Sequence, residues 1–204
     1  MILSIIIPTL NHPTSIYSTV KSIEDAFVYL EKKIEIEIII VNQTSLKKKI
    51  MSKNDFIKIN YIHSNIKALS KSRNIGIRNS VGEVIIFLDD DVRIEESYLN
   101  RVVKTLKEDD SISIVAAKLV TDDCKKKKYS HHQRDYAMDI TLKHFYRVLS
   151  AGLVVRKNII NKIGLFDEKF GLGQRFGGSE EADLIIRAIS EDIKVLYDPS
   201  FLII

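Results

Sequence analysis

Three consecutive aspartates, Asp89 to Asp91, directly follow the apolar run Val84–Leu88. A run of β-prone and apolar residues predicts a buried strand of a parallel sheet, and ligands of such sheets bind beyond the carboxyl ends of the strands. Crowded carboxylates repel one another unless a cation shares the site, and Mg²⁺ is commonly held by one or two carboxylates plus substrate phosphates. The triplet therefore predicts a metal–nucleotide site. Asp is also favoured at a helix start, and the triplet alone leaves that second interpretation open.

A second acidic group, Glu180-Glu181-Ala182-Asp183, opens a predicted helix after the glycine-rich segment 171–178. A carboxylate within hydrogen-bond reach of a hydroxyl can accept its proton in a transition state. Glu180 and Asp183 are three positions apart and share a helix face, whereas Glu181 projects elsewhere. Only one of the three is therefore expected to face a given substrate hydroxyl, and the spacing alone does not say which.

Strand and helix patterns alternate along the chain, which is typical of a parallel sheet covered by helices. Predicted strands are Ile2–Ile7, Ile36–Val41, Ile57–Ile62, Val84–Leu88, Ile112–Ala117, Gly152–Arg156 and the strand-like end Phe201–Ile204. Predicted helices are a segment from Tyr17 to Leu30, residues 67–79, Ile94–Leu106, Asn158–Ile163 and Glu180–Glu191. The pattern breaks between Thr121 and Arg147, where long irregular stretches are often functional loops.

Composition is that of an ordinary globular protein of 204 residues, with 45% hydrophobic and 28% charged residues and a net charge of +4. This charge tolerates anionic partners without selecting among them. Cys124 is the single cysteine, so a disulfide framework and a cysteine zinc site are excluded and a reducing, cytoplasmic setting fits. No apolar run approaches the ~20 residues of a membrane span.

Taken together, the segments at 4–11, 70–76, 82–91 and 164–184 resemble, in order and spacing, the inverting family-2 glycosyltransferases with the GT-A fold. The resemblance covers nearly the whole chain. It implies an α/β fold with one Rossmann-like, mostly parallel sheet flanked by helices. It also implies one domain over 1–204, with a nucleotide-binding half of about 1–118, an acceptor-side half of about 119–204 and a truncated C-terminus.

The resemblance implies a role for each matching residue. Residues expected to contact the donor nucleotide are Pro8, Thr9, Asn11, Asn42, Arg73, Asp89 and Asp90. Asp91 and Asp89 match the outer positions of the DxD-like motif and are the expected ligands of Mg²⁺ or Mn²⁺. Glu181 matches the usual general base, with Glu180 and Asp183 as alternatives.

Two departures from the family pattern concern the donor and the end of the chain. Val41-Asn42-Gln43-Thr44-Ser45 stands where relatives usually carry an acidic pair that recognises the base, so the resemblance does not imply uridine as the base of the donor. Neutral amides can still hydrogen-bond a base edge. The chain also stops within Asp198–Ile204, before the position where relatives often place a histidine that binds the metal or the diphosphate.

The implied function is metal-dependent, inverting transfer of a sugar from a nucleotide-sugar donor to a saccharide or lipid-linked hydroxyl acceptor, in cell-surface polysaccharide or glycolipid assembly. Nucleic acid is not an expected partner. Two alternatives stay open: a non-catalytic sugar-nucleotide binding domain and a sugar-phosphate nucleotidyltransferase. The latter should carry a glycine-rich, basic loop after the first strand, which Pro8-Thr9-Leu10-Asn11 does not supply.

Two further segments allow functional hypotheses. Lys125–Lys128 is either a solvated surface run or a peripheral contact with the inner face of an anionic membrane. The glycine-rich segment 171–178 is expected to be a mobile loop over the acceptor site.

Overall fold

The computed structural model of the chain describes residues 1–10, 14–44, 50–122 and 129–204. Its strands are β1 Ile2–Thr9, β2 Glu35–Asn42, β3 Ile57–His63, β4 Val84–Phe87, β5 Ile114–Leu119, β6 Met138–Asp139, β7 Leu153–Arg156 and β8 Val195–Ile203. Its helices are α1 Ser15–Val28, α2 Leu69–Asn79, α3 Tyr98–Glu108, α4 Lys157–Ile163 and α5 Glu180–Ser190, together with a 3-10 turn at Phe145–Arg147.

These strands form one eight-stranded sheet in the order β3-β2-β1-β4-β7-β5-β8-β6. Neighbours from β3 to β4 are parallel, as are β5 and β8. β7 runs antiparallel between β4 and β5, and β6 runs antiparallel at the edge. The predicted α/β class with a mostly parallel sheet is therefore confirmed. The antiparallel β7 was not predicted, because a buried central strand has the same apolar composition in either direction.

Apolar side chains fill both faces of the sheet. Because successive residues of a strand point to opposite faces, Ile5 and Ile7 of β1 join the core under α1 and α3, whereas Ile6 joins the core under α2, α4 and α5. Such two-sided burial explains why β1 and β2 read as continuous apolar runs rather than as alternating ones. With both faces covered by helices, the sheet leaves its strand ends and the following loops to carry polar function.

The segment after the aspartate triplet differs from the prediction. The helix expected from Ile94 begins at Tyr98, and Ile94 instead forms an isolated β-bridge with Ile203. The Tyr98 hydroxyl donates a hydrogen bond of 2.8 Å to the carbonyl of Gly152, which ties α3 to the chain just before β7. Asp89 to Asp91 lie between β4 and this segment, so the interpretation of the triplet as a helix start is wrong.

No helix in the described part of the chain combines the length and the hydropathy that crossing a membrane requires.

Close packing of α2 on the sheet depends on Gly76. A Cβ at this position would overlap the branched side chain of Ile6 on β1. Alanine normally stabilises a helix relative to glycine by about 1 kcal/mol. Overpacking a dense core costs about 1–3 kcal/mol, so we expect Gly76→Ala to lower the free energy of unfolding. Chemical denaturation measures the change, and Gly177→Ala, which places its Cβ in open space, is the control. A Gly76→Ala variant as stable as the parent contradicts the prediction.

Candidate active site

The carboxyl ends of β1, β2 and β4 meet at one edge of the sheet. Thr9 at the end of β1 is in register with Asn42 at the end of β2. On the other side of β1, Ile6 is in register with Phe87, and the Leu88 amide donates a hydrogen bond of 3.1 Å to the Ile6 carbonyl. The end of β1 is therefore flanked by the end of β2 and by the aspartate triplet.

Two cavities open at this edge, and Asp89 and Asp91 line both of them. The first cavity has a volume of about 420 Å³ and is lined by Pro8, Leu10, Gln43, Lys67, Ala68, Leu69, Asp89, Asp90, Asp91, Leu172 and Gly173. Its walls are largely apolar, with an amide and a lysine among them and the carboxylates of the triplet. This combination suits a ligand with a partly apolar, partly polar body and a part that carries or binds a cation beside the aspartates.

The second cavity has a volume of about 520 Å³. It is lined by Asp89, Asp91, Val92, Leu119, Val120, Thr121, Asp122, Tyr129, Leu149, Ser150, Ala151, Glu181 and Ile204. Because Asp89 and Asp91 line both cavities, a group bound by these carboxylates would be accessible from either cavity. Glu181 is the residue of the predicted acidic group that lines this cavity.

The loop after β2 places Gln43, not Asn42, in the wall of the first cavity. Gln43 Oε1 accepts a hydrogen bond of 2.8 Å from the backbone N–H of Ala68. The backbone N–H of Gln43 donates a hydrogen bond of 3.0 Å to the Thr9 carbonyl. Asn42 is buried, and its Oδ1 accepts hydrogen bonds from the Thr44 amide and hydroxyl. Asn42, predicted as a nucleotide contact, thus shapes the turn, and Gln43, which the prediction omitted, faces the cavity.

The end of β1 contributes Pro8 to the same cavity and Leu10 follows directly after the strand, whereas Thr9 is buried between them. Successive residues of an extended chain point in opposite directions, which explains the alternation. Leu10 was not among the predicted site residues. Asn11, which was predicted, lies outside the described residues.

Arg73 of α2 is fully buried, with 0% of its side chain exposed. One guanidinium nitrogen donates to Glu180 Oε1 at 2.7 Å, and the other donates to Asp89 Oδ1 and to Ser150 Oγ, each at 2.9 Å. The resemblance implied a contact of Arg73 with the base or the diphosphate. In the structure, Asp89 lines both cavities and Ser150 lines the second, and Glu180 directly precedes Glu181 in the chain.

The side chain of the adjacent Asn74 also forms its hydrogen bonds with other residues of the chain. Its side chain donates to the Phe166 carbonyl at 2.9 Å and accepts from the Phe166 amide at 3.0 Å. It donates further to Glu168 Oε1 at 3.1 Å. These hydrogen bonds attach the Phe166–Glu168 segment to α2. Arg73 and Asn74 thus connect α2 to the segments that surround the site.

The three carboxylates at the start of α5 have three different environments. Glu180 is buried and paired with Arg73, and Asp183 accepts hydrogen bonds of 3.0 and 2.7 Å from Arg187 one turn later. Glu181 lines the second cavity. Burial raises the pKa of the Glu181 carboxyl above the usual glutamate value, and the charge of Glu180 raises it further, against an opposing effect of Arg73. A half-buried carboxylate with a raised pKa is typical of a general base.

Asp89 and Asp91 are the described residues that best fit a divalent metal. Asp91 is exposed, and Asp89 keeps 37% of its side chain exposed while Arg73 holds its Oδ1. Among the residues that the structure describes, no group of three or more His, Cys, Asp or Glu side chains could hold a metal ion alone. Two carboxylates suit Mg²⁺ or Mn²⁺ when substrate phosphates supply further oxygens. Asp90 is largely buried, and its carbonyl accepts a hydrogen bond from the Thr19 hydroxyl.

The glycine-rich segment contributes two residues to the wall of a cavity. Leu172 and Gly173 line the first cavity rather than the second, and the Leu172 carbonyl accepts a hydrogen bond of 3.1 Å from the Leu69 amide at the start of α2. Gly173 has φ of +82°, and a Cβ there would overlap the Lys67 carbonyl. The close approach thus requires glycine. Lys125–Lys128 lie outside the described residues.

Comparisons with known proteins concern the family of the chain and its fold. The profile of glycosyl transferase family 2 matches residues 4–168. Similar solved structures include S. aureus TarS 1-349, with 18% identity and a TM-score of 0.66 over 98% of this chain and 61% of that chain. The same S. aureus TarS fragment in complex with UDP-GlcNAc matches with 18% identity and a TM-score of 0.69 over 98% of this chain and 58% of that chain.

The longer S. aureus TarS structure matches with 17% identity and a TM-score of 0.64 over 98% of this chain and 37% of that chain. The present chain therefore spans about three fifths or less of the length of these structures, and at such identities the likeness concerns the fold. No curated protein sequence matches the chain significantly. The family profile, in contrast, covers most of the chain, from β1 through the aspartate triplet to the Phe166–Glu168 segment. The chain belongs to glycosyl transferase family 2.

Proposed function

We propose that this domain transfers a sugar from a nucleotide-sugar donor to an acceptor hydroxyl, with inversion at the anomeric carbon. One observation carries the proposal: Glu181, the carboxylate with a raised pKa, lines the same cavity as Asp89 and Asp91. An enzyme of this kind needs a base for the acceptor and carboxylates that can hold a divalent cation beside the departing diphosphate, and the two must be close together.

The nucleotide is assigned to the first cavity. In this assignment the base packs between Pro8 and Leu172, next to the side-chain amide of Gln43 in the cavity wall. The diphosphate extends from there towards the aspartates. The complex of S. aureus TarS with UDP-GlcNAc supports a nucleotide-sugar donor. When bound at Asp89 and Asp91, Mg²⁺ or Mn²⁺ would neutralise the charge that develops on the leaving diphosphate.

The acceptor hydroxyl is assigned to the second cavity. Glu181 accepts its proton as the oxygen attacks the anomeric carbon from the face opposite the diphosphate, and the bond to the diphosphate breaks in the same step. A single in-line displacement inverts the configuration and needs no covalent enzyme intermediate. Glu180 pairs with Arg73 and Asp183 pairs with Arg187, which supports Glu181 as the proposed base. A saccharide or lipid-linked acceptor in surface polysaccharide or glycolipid assembly would fit this chemistry.

The test is an assay of nucleoside diphosphate release from a panel of UDP-, GDP-, CDP- and dTDP-sugars, with Mg²⁺, Mn²⁺ or chelator and with water or simple saccharides as acceptors. We expect release from one donor class that depends on the metal, and a product of inverted anomeric configuration by NMR. Binding of a nucleotide sugar without any turnover would favour the non-catalytic alternative. Pyrophosphate release from a nucleoside triphosphate and a sugar phosphate would favour the nucleotidyltransferase.

A further inference from the structure

Arg73 connects three separate parts of the active site. It projects from α2 and contacts Asp89 after β4, Ser150 before β7 and Glu180 at the start of α5. Its guanidinium carbon also lies 5.7 Å from the centre of the Phe166 ring. These partners lie 16, 77 and 107 residues away from it in sequence, so the contacts exist only in the assembled fold.

Each contact fixes a group next to the proposed chemistry. Asp89 and Ser150 themselves line the second cavity, and Glu180 directly precedes Glu181. Gly171 lies beside Glu180 on a second side, close enough that an added Cβ would be only 3.3 Å from Glu180 Oε2. A buried guanidinium between two carboxylates is stable only in good geometry, since desolvation of the charges opposes the pairing. The network therefore allows little variation in the distance between Asp89 and the start of α5.

We propose that Arg73 is a positioning residue that holds Asp89 and Glu181 at the separation which transfer requires, without touching either substrate. The proposal rests on the function proposed above. It differs from a nucleotide-binding role in assigning to Arg73 an effect on both cavities at once. The forked guanidinium is essential, because lysine presents a single point charge and cannot hold two carboxylates and a hydroxyl in a fixed plane.

The experiment compares Arg73→Lys with Glu180→Gln and with the control Arg78→Lys. Arg78 lies on the same helix, is about half exposed and approaches Glu168 only at 3.9 Å. Each variant is characterised by kcat for donor turnover, by thermal unfolding and by calorimetric titration of UDP with Mn²⁺ and with chelator. UDP serves as the probe because UDP-GlcNAc occupies S. aureus TarS; if the panel identifies another donor class, its nucleoside diphosphate replaces UDP.

We expect Arg73→Lys to lower kcat by roughly 10²-fold, the scale of a misplacement by about 1 Å. It should also weaken Mn²⁺-dependent nucleotide binding several-fold through Asp89, while binding in chelator stays unchanged. Glu180→Gln should lower kcat and leave nucleotide binding at the parent level, and Arg78→Lys should change neither quantity.

An Arg73→Lys variant with the kcat and Mn²⁺-dependent affinity of the parent overturns the proposal. Weaker binding in both Mn²⁺ and chelator also overturns it, since that result indicates a direct nucleotide contact. If Arg73→Lys does not fold, Glu180→Gln decides: a lowered kcat with unchanged nucleotide binding supports the positioning role, and the parent kcat overturns it. If the parent protein turns over no donor, the proposed function fails, and the difference between Mn²⁺ and chelator still decides the role of Arg73 at Asp89.

Discussion

Replacement of Glu181 by glutamine is expected to lower the rate of sugar transfer by roughly 10²–10⁴-fold while the donor dissociation constant stays almost the same. Glu181 lines the second cavity beside Asp89 and Asp91, and the glutamine amide keeps its size but cannot accept a proton. Steady-state turnover and calorimetric titration of the donor, both with Mn²⁺, measure the two quantities.

Asp183→Asn provides the matched control for this prediction. Asp183 lies on the same helix turn, but its carboxylate is engaged by Arg187, so its loss should leave kcat close to that of the parent. A near-normal rate for Glu181→Gln, together with an inactive Asp183→Asn variant, would transfer the base to Asp183. Normal rates in both variants would remove this helix start from the chemistry.

The pH profile of the parent gives a second readout of Glu181. The base must be deprotonated, and burial together with the charge of Glu180 raises its pKa above the usual glutamate value. The rate should therefore fall as the pH is lowered through this raised pKa, at a higher pH than an exposed glutamate would produce. Glu181→Gln should lose this acidic limb. An identical limb in the variant would assign the titration to another group.

Asp91→Asn is expected to reduce Mn²⁺-dependent nucleoside diphosphate affinity by at least roughly tenfold, about 1.4 kcal/mol, with little change in chelator. The exposed Asp91 carboxylate lines both cavities and loses its charge in the variant. Hard divalent cations depend on such carboxylate oxygens. Calorimetry with Mn²⁺, with Mg²⁺ and with chelator separates the metal-dependent part of the affinity from the contribution of the first cavity.

Asp110→Asn is the control for the general loss of one negative charge. Asp110 is 95% exposed and lies in the loop between α3 and β5, where it pairs with Arg156. Its replacement should leave both affinities unchanged. Equal affinity of the parent for the nucleotide in Mn²⁺ and in chelator would exclude the metal from donor binding, and an unaffected Asp91→Asn variant would exclude Asp91 as its ligand.

Local sequence patterns determine most of the elements of this fold, because the period of apolar residues distinguishes a strand from a helix and its extent indicates burial. Val84–Leu88 predicted β4 and the position of the aspartates at its carboxyl end, and the apolar spacing after Glu180 predicted α5. The helix expected from Ile94 shows the limit of such patterns. Ile94 and Val103 are both buried, but Ile94 achieves its burial beside β8, through its bridge to Ile203.

The site shows the same division between local and tertiary information. The sequence by itself placed carboxylates at the end of a strand and at the start of a helix, because both are features of consecutive residues. The spacing of the acidic group left Glu180, Glu181 and Asp183 open, and the family resemblance selected Glu181. The tertiary structure adds that Glu180 is buried against Arg73, and it alone shows that Gln43 rather than Asn42 lines the cavity. Those outcomes depend on a single arginine that meets a carboxylate 107 positions away and on an Ala68 amide 25 positions from Gln43. Such pairings follow from how the helices pack on the sheet, which no local period encodes.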